Sequence, residues 1–155
     1  MSENEITQAL IEVVAEAVKD FRLPVKNGEP RAPQVLNFDL NPKRSRDIDD
    51  FPFVVVRPRS GSSDIEATDI EFFIIIGCYA EDYEADKDCL NVMSRIRNTL
   101  VTLHNGTLAD ACTLQLPISW TLYSDQPQPQ VQLDMTVKFS YNTPQATFDI
   151  EGVNY

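Results

Sequence analysis

A continuous apolar stretch in the middle of the chain predicts a buried strand followed by a helix. Residues 68–79 place apolar side chains on both faces of an extended strand: Ile70, Phe72, Ile74 and Ile76 on one face, Phe73 and Ile75 on the other. A strand that is apolar on both faces needs cover on both sides. After an acidic loop, apolar residues recur at helical spacing at Cys89, Leu90, Met93, Ile96, Leu100 and Leu103. The pattern therefore predicts a central strand and an amphipathic helix packed against its sheet.

The flanking segments predict one more helix and three more strands. Apolar positions at helical spacing run through residues 6–21, and Pro24 ends that helix. A strand begins at Phe53 and is predicted to end at Pro58, because proline cannot donate to a ladder, which makes residues 59–63 the loop tip of a hairpin. Residues 114–122 and 131–141 alternate apolar and polar side chains and predict a second long hairpin. Pro117 predicts that its first strand is bulged or lies at an edge.

The order helix, hairpin, helix, hairpin predicts an α+β fold. The length of 155 residues fits a single domain, assigned here to residues 1–141, with a C-terminal tail at 142–155. The sheet should be mostly antiparallel, built from two long hairpins and flanked by two main helices. In the tail, Phe148 and Ile150 alternate with acidic residues. This pattern suits a short strand that adds to a neighbouring subunit, or a frayed chain end.

Charge is unevenly distributed and indicates contact with an acidic partner surface. The net charge is −11, with nine basic and ten acidic residues before position 60 but four basic and fourteen acidic residues after it. This balance argues against specific nucleic-acid binding. The basic candidates for a subunit or partner interface are Lys43, Arg44, Arg46, Arg57 and Arg59. The proline-broken segment 24–52 that carries the first three is either a solvated loop or an arm that reaches a neighbouring subunit.

No catalytic, cofactor-binding or metal-binding residue is assigned from the sequence. The run 81–88 has the alternate carboxylates of a calcium loop, but Lys87 and Met93 stand where that loop needs glycine and glutamate. His104 is the only histidine, with no local nucleophile motif beside it. A metal-assisted hydrolase remains a rival hypothesis, and it would use the carboxylates of Asp82, Glu84, Asp86 or Asp88.

Cysteine usage and the N-terminus indicate a cytoplasmic chain without a membrane segment. The three cysteines are scattered without a C-x-x-C spacing, which predicts reduced and buried thiols. No apolar run approaches the roughly 18 residues of a membrane span. The acidic start, MSENEITQ, lacks the apolar stretch of a signal peptide.

Several sequence stretches and their order along the chain form a familiar pattern. They are the strand PFVVVRP, the strand IEFFIIIGCYAED, and a helix with the pattern D-x-x-N-x-x-x-x-I-R-x-x-L. A Trp-bearing strand and the strand VQLDMTVKFSY complete the order of elements. In these features the chain resembles the tail terminator, or tail-completion, proteins of long-tailed bacteriophages. The resemblance covers most of residues 5–141, and segment 24–52 and the tail lie outside the family pattern.

The resemblance implies a structural phage or prophage protein without enzymatic activity. Such a protein forms a ring, usually a hexamer, on the end of the tail tube, stops tube growth and presents a surface to the head. Its partners are copies of itself, the tail tube protein and a head-completion or neck protein, in a virion tail assembled in the bacterial cytoplasm. The alternative within the same particle is a neck or head-closure protein, since these share small ring-forming α+β folds.

Overall fold

A computed structural model describes residues 2–37, 50–123, 129–144, 149–150 and 153–154, the last two ranges by their backbone alone. Within those residues the elements, in chain order, are α1 (Glu3–Val18), β1 (Gln34–Asn37), β2 (Phe53–Ser63), β3 (Ala67–Tyr79), α2 (Ala85–Val101), β4 (Thr107–Leu108), β5 (Cys112–Leu122), β6 (Gln130–Asn142), β7 (Asp149–Ile150) and β8 (Val153–Asn154). A 3-10 turn at His104–Gly106 follows α2.

The strands form a six-stranded sheet in the order β1-β2-β3-β6-β5-β4. All neighbours are antiparallel except β1, which runs parallel to β2. β3 is the central strand, since all 13 of its residues face a residue of β6 and most also face β2. The two long hairpins are β2–β3 and β5–β6. The predicted single α+β domain with a mostly antiparallel sheet is therefore confirmed.

Both helices pack on the same face of this sheet and enclose the main core. α1 begins at Glu3, and Ser2 caps it, with its hydroxyl accepting a hydrogen bond from the Glu5 N–H at 3.2 Å. Each fully buried large side chain contributes about 1.5–3 kcal/mol. The largest buried side chains in this core include Ile6 and Leu10 from α1, Met93, Ile96 and Leu100 from α2, and Phe72, Ile74, Ile76 and Phe139 from the sheet.

The opposite face of the sheet, which we call the second face, carries an apolar cluster of its own among the described residues. It consists of Phe51, Phe53, Val55, Ile75 and Tyr79, and no residue of α1 or α2 belongs to it. The rings of Phe51 and Phe53 meet edge to face at 4.8 Å. The Phe53 ring lies across Gly77, where a Cβ atom would approach within 2.3 Å of ring carbons. Glycine at position 77 therefore lets this ring lie flat on the central strand.

The expectation that the first hairpin strand ends at Pro58 is wrong. β2 continues to Ser63, with a change of register between Pro58 and Ser60, so residues 59–63 belong to the strand and the tip is at 64–66. Pro58 pairs with Phe72 of β3 immediately before this change of register. The strand therefore accommodates the proline at an irregularity, where prolines in strands are usually found.

The bulge predicted at Pro117 is present. The register of β5 against β6 shifts between Gln115 and Ser119. Around this bulge, Leu116 is 72% exposed and Trp120 is 45% exposed. Apolar residues at alternate positions of this strand are therefore only partly covered by the core.

All three cysteines are free and buried, as predicted. A hydrogen bond between the thiols of Cys78 and Cys89, together with burial, raises the pKa of Cys78 well above its usual value. A protonated, enclosed thiol is a poor nucleophile. No helix within the described residues is long and apolar enough to cross a bilayer.

Placing a charge at the contact between β3 and α2 should abolish folding. Phe72 is 0% exposed and Met93 is 2% exposed, so Phe72→Asp or Met93→Asp buries an unpaired carboxylate. The expected cost, about 3–5 kcal/mol, removes most of the stability of an ordinary domain. Urea unfolding followed by circular dichroism measures it. Ile65→Asp, at a position 78% exposed, is the matched control and should unfold like the parent chain. A cooperative transition of normal stability in either core variant would show that this contact is misassigned.

Candidate interface on the arginine strand

Of the five basic interface candidates, the two that lie within the described residues, Arg57 and Arg59, are on the second half of β2. Arg57 faces Phe73 of β3 in the register, and Arg59 lies at the change of register that follows Pro58. We call residues 57–63 the arginine strand. The sequence predicted residues 59–63 as the loop tip, and that is wrong, because they form part of the extended strand β2. The role of Arg57 and Arg59 in a contact remains a prediction. A strand holds two arginines in a more defined position than a hairpin loop does.

Arg59 is held in place by two contacts on the second face. Its Nη1 donates to Glu71 Oε1 at 2.5 Å, and its guanidinium carbon lies 4.6 Å from the centre of the Phe73 ring. The Arg59 side chain is still 53% exposed, whereas Glu71 is 21% exposed. A guanidinium has five N–H donors. Arg59 is thus oriented by its own sheet while more than half of its side chain stays exposed.

Two shallow clefts border the arginine strand. The first has a volume of about 420 Å³ and lies between residues 58–63 of β2, residues 68–70 of β3 and Glu3 of α1. The second has a volume of about 160 Å³ and is lined by serines of β2 together with Asp69, Glu71 and Lys138. Their walls combine hydroxyls, carboxylates and one ammonium group. This lining suits contact with another polar chain.

The structure does not place the side chains of the other five interface candidates. Lys43, Arg44, Arg46 and Phe148 lie outside the described residues. Ile150 is described by its backbone only, in the two-residue strand β7, which pairs with β8 in a sheet separate from the main one. Of the seven candidates, the structure places only Arg57 and Arg59 close together. The roles assigned to the other five remain predictions.

The acidic loop after β3 is organised by local contacts. The Asp82 carboxylate accepts a hydrogen bond from the Glu84 N–H at 3.2 Å, and Glu84 forms an ion pair with Lys87 at 2.7 Å. Burial and the neighbouring carboxylates raise the pKa of Asp88. In the part of the chain that the structure describes, no three histidine, cysteine or acidic side chains form a group suited to a metal ion. His104 is exposed in the turn after α2.

Arg31 is a structurally important residue that sequence reasoning missed. Its guanidinium donates to four backbone carbonyls, those of Ala32, Asp50, Phe51 and Pro52, at 3.1–3.4 Å. Burial lowers the pKa of this group, and Asp50 opposes that shift. These bonds tie the segment after α1 to the start of β2. No sequence pattern signals them, since the acceptors are backbone atoms.

A comparison with protein-family models finds no match for this chain. A comparison with curated protein sequences likewise finds no significant match.

The ion pair between Arg59 and Glu71 should contribute little to stability. We expect a double-mutant cycle of Arg59→Gln and Glu71→Gln to give a coupling free energy of about 0.2–1 kcal/mol, the range of exposed ion pairs. Thermal unfolding of the four chains at low and high salt measures this coupling, which should shrink as salt rises. A coupling of several kcal/mol that salt leaves unchanged would mean that Arg59 serves the fold rather than a partner.

Deleting residues 144–155 tests the tail. The strands β7 and β8 are not part of the main sheet, so the truncated chain should fold with an unchanged melting curve. If the tail adds a strand to a neighbouring subunit, the truncated chain should remain monomeric under conditions in which the full chain assembles. Light scattering measures this difference. Normal assembly of the truncated chain would make the tail dispensable.

Proposed function

We propose that this chain is a tail terminator of a long-tailed phage or prophage. The observation that carries the proposal is the oriented and exposed Arg59 on the second face of the sheet. Both helices lie on the other face, and Arg59 is held by Glu71 and Phe73 while 53% of its side chain stays exposed. A surface of this kind suits assembly with other proteins. The resemblance to tail terminator proteins, in the order of elements and in the helix pattern, is the reason why we propose a phage tail as the assembly.

The same proposal makes the chain a structural protein and not an enzyme. The clefts beside the arginine strand are shallow, and their charged residues Glu71 and Lys138 face each other across neighbouring strands. Catalysis needs positioned acids, bases or nucleophiles that converge on one reacting atom. The arrangement of these side chains favours binding of a polar protein surface.

In this role the protein acts in the virion tail, after assembly in the cytoplasm of the bacterial host. Copies of the chain form a ring, a hexamer by analogy with the family, on the last ring of the tube. The ring stops tube polymerisation and offers its far side to a head-completion or neck protein. The proposal includes no cofactor, no membrane contact and no specific nucleic-acid binding, in keeping with the net charge of −11.

Electron microscopy of tail tubes tests the proposal directly. The purified chain is added while the tube protein of the same particle polymerises, and tube lengths are measured with and without it. A terminator should bind at one tube end and shorten the tubes in proportion to its concentration. A matched reaction with the unfolded Phe72→Asp variant should leave tube lengths unchanged.

Two results would contradict the proposal. Tubes of unchanged length with no added density at their ends would rule out a terminator. Density found only on the head-side neck component, with bare tube ends, would favour the neck or head-closure alternative.

A further inference from the structure

Two of the buried cysteines lie on neighbouring elements of the main core. Cys78 is the second-last residue of β3, and Cys89 lies in the first half of α2. Both side chains are free thiols, both are 0% exposed, and both belong to the core between the helices and the sheet. One short loop, residues 80–84, separates their elements in the chain. The fold therefore holds two thiols on facing sides of a single packing layer.

The Cys89 thiol lies directly over the end of β3. Its Sγ is 3.8 Å from the carbonyl oxygen of Ile76 and 3.5 Å from the carbonyl oxygen of Val131. Val131 lies opposite Cys78 in the register of β3 and β6, and both residues face the helices. Opposite residues on one face of a sheet have Cβ atoms about 5 Å apart, so the Cys78 side chain projects beside the Cys89 sulfur. The hydrogen bond between the two thiols agrees with this placement.

The third cysteine is too distant to join this pair. Cys112 is followed by Thr113, which lies opposite Ser140 of β6, whereas Cys78 lies opposite Val131 of the same strand. These two positions of β6 are about 30 Å apart along an extended strand. A disulfide requires Cα atoms within about 7 Å of each other. The structure thus distinguishes one pair of thiols from one isolated thiol.

The closed core shields the pair, and the start of α2 is the place where it opens most easily. At the N-terminus of α2, Glu84 makes no side-chain cap hydrogen bond. Tyr83, just before it, has a left-handed φ of 62° and is 68% exposed. A missing cap and a left-handed residue other than glycine both weaken a first turn. Local opening of a helix end costs less than global unfolding, and here it admits a small oxidant to Cys89.

We propose that Cys78 and Cys89 form a redox-active pair, which hydrogen peroxide converts into a disulfide that ties the start of α2 to the end of β3. The Cys89 thiol loses its proton and attacks one peroxide oxygen, the O–O bond breaks, and a sulfenic acid and one water are formed. The Cys78 thiol then attacks the Cys89 sulfur, so that an S–S bond forms, the S–O bond breaks and a second water leaves. In total, two thiols and one peroxide give one disulfide and two waters, and two electrons pass from sulfur to oxygen.

The state of this pair depends on the surroundings of the protein. A reducing cytoplasm keeps the thiols free, whereas an oxidising medium lets the bridge persist. The bridge restricts the unfolded chain and so stabilises the folded one. In a virion tail this gain would come after release from the host, but the inference itself does not rest on the proposed function, because both cysteines belong to the core of one chain.

Peptide mapping after treatment with hydrogen peroxide tests the pairing. Trypsin cleaves after lysine and arginine, which places the three cysteines in three different peptides, 60–87, 88–95 and 98–138. The folded, reduced chain is treated with hydrogen peroxide, the remaining thiols are alkylated in denaturant, and the digest is analysed by mass spectrometry without reductant. We expect peptide 60–87 joined to peptide 88–95, with peptide 98–138 alkylated. A reducing agent should separate the joined peptides.

Serine variants supply the matched controls. Cys89→Ser removes one member of the pair, whereas Cys112→Ser replaces a buried thiol and leaves the pair intact. Peroxide treatment should raise the melting temperature by about 5–10 °C in the parent and in Cys112→Ser, and leave that of Cys89→Ser without such a rise. All these chains contain the same three methionines, so methionine oxidation affects them alike. If Cys89→Ser fails to fold, Cys89→Ala replaces it.

Three results of the peptide map would overturn the proposal. The first is the absence of a joined peptide from the folded parent chain at a peroxide concentration that oxidises the thiols of the unfolded chain. The second is a bridge from Cys112 to either member of the pair. The third is a bridge between two chains, seen as a covalent dimer. None of these results affects the terminator function, which tube capping measures separately.

Discussion

β3 is paired with β6 along its whole length and with β2 along most of it, and this double pairing determines the rest of the structure. It places an apolar strand where both of its faces are covered, by α1 and α2 on one side and by the Phe51–Phe53 cluster on the other. Because two hairpins meet at this strand, the outermost strands of the sheet among the described residues are β1 and β4. The core is therefore built around the two hairpins and the two helices.

The residues that stabilise the chain are separate from the exposed Arg59. Burial supplies most of the folding free energy, and it is concentrated between the helices and the central strands. Arg59 lies outside this core with 53% of its side chain exposed, so its substitution should cost little stability. A contact surface at such a position can change without loss of the fold.

The hydrophobic pattern predicted the main elements, the central position of β3 and the antiparallel hairpins, because burial imposes a period of two on strands and 3.6 on helices. The prediction failed at Pro58, because the strand takes up this proline at a change of register and continues beyond it, which the hydrophobic pattern does not show. It also missed Arg31, whose partners are carbonyl oxygens of a distant segment. Of the candidate interface residues, Arg57 and Arg59 lie close together on β2, and the others remain predictions because their side chains lie outside the described residues.

The most direct measurement is a cryo-electron microscopy map of the protein assembled at the end of a tail tube. The account predicts a closed ring of this chain on the tube end, in which Arg59 lies at a contact with a neighbouring chain. A map in which the chain is absent from the tube end, or in which Arg59 of every subunit faces solvent, would contradict it.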